Sequence, residues 1–100
     1  MVGSQGAISA LANVVPKVHI EVLRLYAAGE LAKAQEIQRL LSHADWALQK
    51  GGISGVKAAC VKWYGYGHAR ARAPLPEVQD AVFAAGIDKI QKVVDLEKAL

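Results

Sequence analysis

A chain of 100 residues has material for one small domain with a single core, burying about 60 to 70% of the surface its unfolded form exposes. Its apolar share of 53% and mean hydropathy of +0.19 are high for so small a domain, so some apolar surface is expected to meet a partner. One cysteine excludes an intrachain disulfide, a net charge of +3 is too mild to define a polyanion binder by itself, and no apolar run approaches the roughly 20 residues of a membrane span.

The segment Met1-Val-Gly-Ser-Gln-Gly6 lacks the positive n-region and apolar core of a signal peptide. This predicts a soluble intracellular protein, in the cytoplasm or alternatively the mitochondrion. The run Gly6 to Ala12 is short, apolar and without a 3.6-residue period, which suits a buried strand better than a helix. A lone strand needs a neighbour, from another chain or from a sheet outside these residues; without one it could become helical or disordered.

Asn13 or the residues just after it can cap a helix with Pro16 in its first turn. From Lys17 to Ala28, Lys17, Glu21 and Arg24 form a narrow wet stripe and the rest is apolar, so this helix is expected to be covered on several sides. His19 has no second ligand at i+3 or i+4 and reads as a packed or hydrogen-bonded histidine. Gly29 supplies a C-cap, and a helix from Glu30 to about Gln49 turns Leu31, Ala34, Ile37, Leu41, Ala44 and Leu48 inward. Glu36 and Arg39 are spaced for a surface pair.

After Gly51 and Gly52, a third helix carries Ile53, Val56, Ala59 or Cys60, Trp63 and Tyr64 on its apolar side and is closed by Gly65 and Gly67. Cys60 reads as a buried reduced thiol. Pro76 can open a fourth helix, Glu77 to Ala85, ended by Gly86, and Asp88 to Leu100 forms a fifth around Ile90, Val93, Val94 and Leu100. Between Asp45 and Glu77 there is no acid, while Lys50, Lys57, Lys62, Arg70 and Arg72 fall there beside Trp63, Tyr64 and Tyr66. Basic and aromatic side chains together can track phosphates and stack bases, but no recognised nucleic-acid module accompanies them, and nucleic acid is set aside as a main partner. No spacing of a metal site, phosphate loop or nucleophile with its base is present, so no metal and no cofactor is expected.

Three motifs in order carry a resemblance. Gly6-Ala-Ile-Ser-Ala-Leu-Ala-Asn-Val14 resembles the eighth barrel strand, and its turn into a helix, of the dihydrodipicolinate synthase / N-acetylneuraminate lyase family. Ala27-Ala-Gly-Glu-Leu-Ala-Lys-Ala-Gln-Glu-Ile-Gln-Arg-Leu40 resembles that family's junction into a C-terminal helical domain. Gly52-Ile-Ser-Gly-Val-Lys-Ala58, Tyr64-Gly-Tyr-Gly67 and Arg72-Ala-Pro-Leu-Pro76 resemble its closing segment, most of all in the 4-hydroxy-2-oxoglutarate aldolase branch.

The resemblance spans Gly3 to Ala85 and implies the C-terminal third of a (β/α)8, or TIM-barrel, enzyme. The implied fold is mostly α, one N-terminal strand and about five helices, with residues 1–28 as the eighth βα unit and residues 29–100 as a helical domain. Family members are class I aldolases or lyases that form a Schiff base between a strand-borne lysine and pyruvate or another 2-keto acid. They are usually homo-oligomers. By resemblance, the lysine, an assisting tyrosine and a carboxylate-binding turn lie on earlier strands, so no catalytic residue is assigned here. Lys57 and Lys62, read as helical, are not the nucleophile. Ser9 and Ile8 are the candidate substrate-binding residues, as a border of the pocket in a complete barrel. The alternative reading is a helical oligomerisation or interaction module whose exposed strand edge and apolar excess recruit a partner.

Overall fold

The computed structural model describes residues 3–100. A 3-10 turn, Ala10–Asn13, is followed by helices α1 (Pro16–Ala27), α2 (Leu31–Gln49), α3 (Gly52–Tyr64) and α4 (Asp80–Ala99), in a body of 44 × 25 × 22 Å. The long helix α2 is the spine, packed against α1 and α4 and joined at its end to α3.

Local signals explain most boundaries. Proline at the first position of α1 forfeits an N–H that has no intrahelical partner anyway. The turn into α2 is a Schellman motif: Gly29 at φ 80° lets the Glu30 N–H donate to Leu25 C=O at 2.9 Å and the Gly29 N–H to Tyr26 C=O at 3.0 Å. The predicted inner stripe of α2 holds at Ala34, Leu41, Ala44 and Leu48, which are buried, while Leu31 at its start stays exposed. Ile53, expected inward on α3, also lies exposed, at the rim of a depression beside Val56.

One core joins the 3-10 turn and the four helices. Leu11, Val14, Val15 and Val18 meet Leu41, Ala44 and Leu48 of α2, Ala59 and Cys60 of α3, and Ile90, Val93 and Val94 of α4. Most of these side chains are at most 2% exposed, and burial of each aliphatic side chain contributes about 1.5–3 kcal/mol before the cost of ordering it. Cys60 is buried, in line with its reading as a small apolar residue.

Two expectations are corrected. No strand forms at Gly6 to Ala12 among the described residues: residues 3–9 carry no regular structure and Ala10–Asn13 turns as a 3-10 helix. The cause is pairing. An extended segment leaves its N–H and C=O groups without partners when no neighbouring strand is there, whereas a turn lets Leu11 C=O accept the N–H groups of Val14 and Val15 at 2.9 and 3.0 Å while Leu11 enters the core. Met1 and Val2, the start of the expected 1–28 unit, lie outside the described residues.

The fourth and fifth predicted helices are one, α4, because Gly86 is a helix interior and not a stop. It is buried where α4 crosses α2; a Cβ there would fall 2.9 Å from Ala47 Cβ, so glycine is what the close approach demands. Residues 77–79 do not join the helix, since Ser54 Oγ holds Pro76 C=O from across the core and Glu77 is drawn to Arg70 at 2.9 Å.

Candidate functional site

The most specific polar arrangement in the molecule surrounds the junction between the 3-10 turn and α1. Two successive carbonyls there are held by tyrosines from the end of α3: the Tyr64 O–H lies 2.6 Å from Val14 O, and the Tyr66 O–H lies 3.3 Å from Asn13 O and 3.2 Å from Cys60 Sγ. The next free amides, Lys17 N–H and Val18 N–H, donate to the carboxylate of Glu97 from α4 at 3.1 and 2.9 Å. Asn13, expected along with the residues just after it as a cap for α1, turns its side-chain amide back onto Ala10 O at 3.1 Å, and Val15 at the cap position makes no side-chain cap bond. The junction is therefore gripped by α3 on its acceptor side and by α4 on its donor side.

The environment shifts both phenols the same way. Burial raises the Tyr64 pKa, helped by the nearby Glu97 and Cys60. Tyr66 is raised mainly by its hydrogen bond to Cys60, with burial adding to it.

Ser9 lies where this junction begins. With Ala7, Leu11 and His19 it lines a depression of about 200 Å³ whose far wall is Gln38, Leu41, Ser42 and Asp45 of α2. His19 Nδ1 lies 2.8 Å from Val15 O, a carbonyl that can only accept, so Nδ1 is the donor there; the ring is hydrogen-bonded, one of the two roles the sequence suggested. Ile8, the other candidate, stands fully in solvent at 107% exposure and lines none of these depressions. The structure thus brings Ser9 to His19 and Asp45 and leaves Ile8 apart.

Lys57 sits on α3 beside a depression of about 290 Å³ shared with Asn13, Cys60, Tyr66 and His68, and Lys62 lies 5.6 Å over the Trp63 ring. Every lysine in the chain is on a helix or, for Lys50, at its end. Trp63 donates its indole N–H to Gln91 at 2.7 Å and packs 6.1 Å from the Phe83 ring, so its face serves the fold. Arg70 is paired with Glu77; among the described residues the other surface pairs are Arg24 with Glu21 and Lys33 with Glu30, not the expected Glu36 and Arg39. Among the described residues, no group of three or more His, Cys, Asp or Glu gathers as metal ligands, and no helix is long and apolar enough to cross a membrane.

Glu97 was missed by sequence reasoning, although a signal existed. It continues the apolar series Ile90, Val93, Val94 at the next helical step, and a carboxylate on a buried stripe calls for a donor.

Comparison with known proteins agrees with the ordered motifs. Residues 1–92 match the model of the dihydrodipicolinate synthetase family, and the chain belongs to that family. It is 38% identical over 98 residues to an L-threo-3-deoxy-hexylosonate aldolase of Aspergillus niger, covering 98% of this chain and 29% of that protein. It is 33% identical over 98 residues to the protein named "Probable 4-hydroxy-2-oxoglutarate aldolase, mitochondrial" of Emericella nidulans, covering 98% of this chain and 31% of that one. A 4-hydroxy-tetrahydrodipicolinate synthase of Agrobacterium fabrum is 36% identical over 91 residues, 90% of this chain and 31% of the relative. The chain thus spans roughly three tenths of the length of these relatives. No solved structure matches it.

Proposed function

We propose that these residues are the C-terminal portion of a Schiff-base-forming class I aldolase of the pyruvate type, acting within a complete (β/α)8 barrel on a 2-keto acid. The observation that carries the reading is the family match over residues 1–92 to aldolases and a synthase that are each about three times as long. The names of the two fungal relatives narrow the chemistry to carbon–carbon cleavage of a 2-keto acid bearing hydroxyl groups. Residues 1–28 supply the last strand and helix of the barrel and residues 29–100 its helical appendage, with Ser9 at the pocket border.

Chemistry requires a lysine kept neutral by a desolvated or charge-crowded pocket, presented from a strand. The helical lysines of this chain do not offer that arrangement, so the nucleophile belongs to the part of a family-length protein that these residues do not span. The assembled enzyme is a homo-oligomer in the cytoplasm, or in the mitochondrion as the name of the Emericella relative suggests.

Borohydride reduction in the presence of pyruvate, read by intact mass, tests this. No adduct is expected on this chain alone, and an adduct outside it is expected when it is joined to the rest of a family barrel. A reduced pyruvate adduct on Lys57 or Lys62 would defeat the assignment.

The reading of the chain as a helical interaction module is favoured by one observation of its own. Helix α1 is apolar on two faces, and only one is covered.

A further inference from the structure

Helix α2 packs one side against α1 and α4, and along its outer side Arg39, His43, Trp46 and Lys50 recur at steps of four, three and four residues, which sets them in one line. All four are exposed. Trp46 is 63% exposed, and a large flat ring is the least expected member of a solvated helix face. Among the described residues it takes part in no aromatic pair and has no cation over its face, whereas Trp63 packs on Phe83 and Tyr64 holds Val14 O. The cations beside it are equally uncommitted. The ion pairs among the described residues engage Arg24, Lys33 and Arg70, and neither Arg39 nor Lys50 takes a carboxylate. Both acids of α2 stand off the line: Glu36 lines the depression that Glu21 and Leu25 of α1 share, and Asp45 accepts from Gln49 and lines the depression beside Ser9.

We infer that this line is a binding face for single-stranded nucleic acid, with a base stacked on Trp46 and the phosphates on either side of it held by Arg39 and Lys50. It is independent of the aldolase reading, because none of these side chains serves the core or the junction at α1. Charge and shape choose the occupant. Arg39 and Lys50 are about 16 Å apart along the helix axis, the reach of a few nucleotides. A single strand presents negative charge at intervals with flat π-faces between, and cations that track the backbone while an exposed ring takes a base are the parts of sequence-tolerant binding. His43, between Arg39 and Trp46, adds a ring nitrogen that can hydrogen-bond a phosphate or a base edge. Other anionic partners fit less well. An acidic peptide answers the cations and leaves the indole face bare. An anionic bilayer needs apolar area to bury, and Gln35 and Ser42 beside the line are polar and exposed. A duplex keeps its bases stacked on one another and offers none to Trp46. Of the basic and aromatic residues between Asp45 and Glu77 that raised such chemistry in the sequence, only Lys50 belongs to this face.

The test titrates this chain into fluorescein-labelled oligo(dT) and oligo(U) at low salt, reads binding by anisotropy, and follows the two indole N–H signals by NMR. Both strands should bind, since phosphates and base faces are common to them. The Trp46 signal should move upfield and that of Trp63, whose indole N–H is held by Gln91, should stay. Trp46→Ala should weaken binding about tenfold. Arg39→Ala and Lys50→Ala should each lower the slope of log K against log salt by about 0.7. Circular dichroism of these surface variants should match that of the native chain. Should Trp46→Ala disturb the helix, Trp46→Leu, which keeps apolar bulk without a π-face, is read in the same way. No binding at low salt, or binding indifferent to the loss of Trp46, overturns the inference. Duplex DNA or polyglutamate bound as tightly as the single strands overturns it too, because the face then reads charge alone. So does a chain that ignores the oligonucleotides and sediments with phosphatidylserine vesicles through Trp46, in favour of a membrane surface.

Discussion

The Glu97 carboxylate sits on the N-terminus of α1, where Oε2 accepts the Val18 N–H at 2.9 Å and Oε1 the Lys17 N–H at 3.1 Å. A residue of the last helix thereby does for α1 what a side chain just before the helix usually does. Glu97 is only 6% exposed, yet the paired donors and the positive end of the helix compensate its burial. The consequence is positional: the junction from which α1 and the N-terminal arm diverge is fixed by α4.

Glu97→Ala should therefore cost about 1–3 kcal/mol of unfolding free energy, because two donors at a buried helix end lose their partner. Glu97→Gln keeps one acceptor oxygen in place and should cost less. Urea titrations of both variants, followed by circular dichroism, measure the difference. Equal losses would mean that the packing of the side-chain stem matters and the hydrogen bonds do not.

Tyr64 tests the other side of the grip. Removing its hydroxyl in Tyr64→Phe frees Val14 C=O and should cost about 0.5–1.5 kcal/mol. The phenol pKa is raised in the folded state by burial and by Glu97, so the neutral form is the one that folding favours. The sign follows from linkage: this contribution is complete below the ordinary tyrosine range and is lost as pH rises through the elevated folded value. Stability of the native chain should fall on the alkaline side, and Tyr64→Phe should flatten that fall. An unchanged alkaline limb would remove Tyr64 from the account.

How much of this was legible in advance depended on the range of each interaction. The glycine C-cap at Gly29, the inner face of α2 apart from Leu31, and a packed or hydrogen-bonded His19 follow from spacings of a few residues, and these are present. The strand at Gly6 to Ala12 was read from an apolar run whose conformation depends on neighbours, and none stands beside it among the described residues. Gly86 reads as a stop locally, and only the crossing with Ala47, some forty residues earlier, reveals why glycine stands inside a helix. The partners in the junction grip were hidden for the same reason: Glu97 on its apolar stripe signals that a donor is needed, but no local pattern brings Val18 to Glu97 or Val14 to Tyr64.

Surface electrostatics should stay small and local. Glu21 is held below the usual carboxylate range chiefly by its hydrogen bond to Arg24, and Glu30 below it chiefly by its hydrogen bond to Lys33. A lowered folded pKa gives stability that is present above the unfolded value and lost as pH falls through the folded one. Carboxyl titration by NMR should find both groups low, with Arg24→Ala returning Glu21 toward its ordinary value. High salt should do the same for both, because exposed pairs are screened. A Glu21 that stays low in Arg24→Ala would assign its shift to the helix and not to the pair.

The crossing of α2 and α4 sets two effects against each other. In Gly86→Ala, alanine gains roughly 1 kcal/mol of helix propensity over glycine. Its methyl, however, would arrive 2.9 Å from Ala47 Cβ, with Ala47 O at 3.4 Å, and neither neighbour is the end of a flexible side chain. Overpacking of this kind typically costs about 1–3 kcal/mol, so the clash should outweigh the gain and Gly86→Ala should be destabilising. Gly86→Val, larger and β-branched, should be worse. Substituting Ala47→Gly in the Gly86→Ala background removes the opposing methyl and should recover part of the loss, giving a favourable coupling between the two sites in a double-mutant cycle of thermal or urea unfolding. If Gly86→Ala instead stabilised the chain, propensity would dominate, and the two helices would have room to part at a crossing that the native glycine holds close.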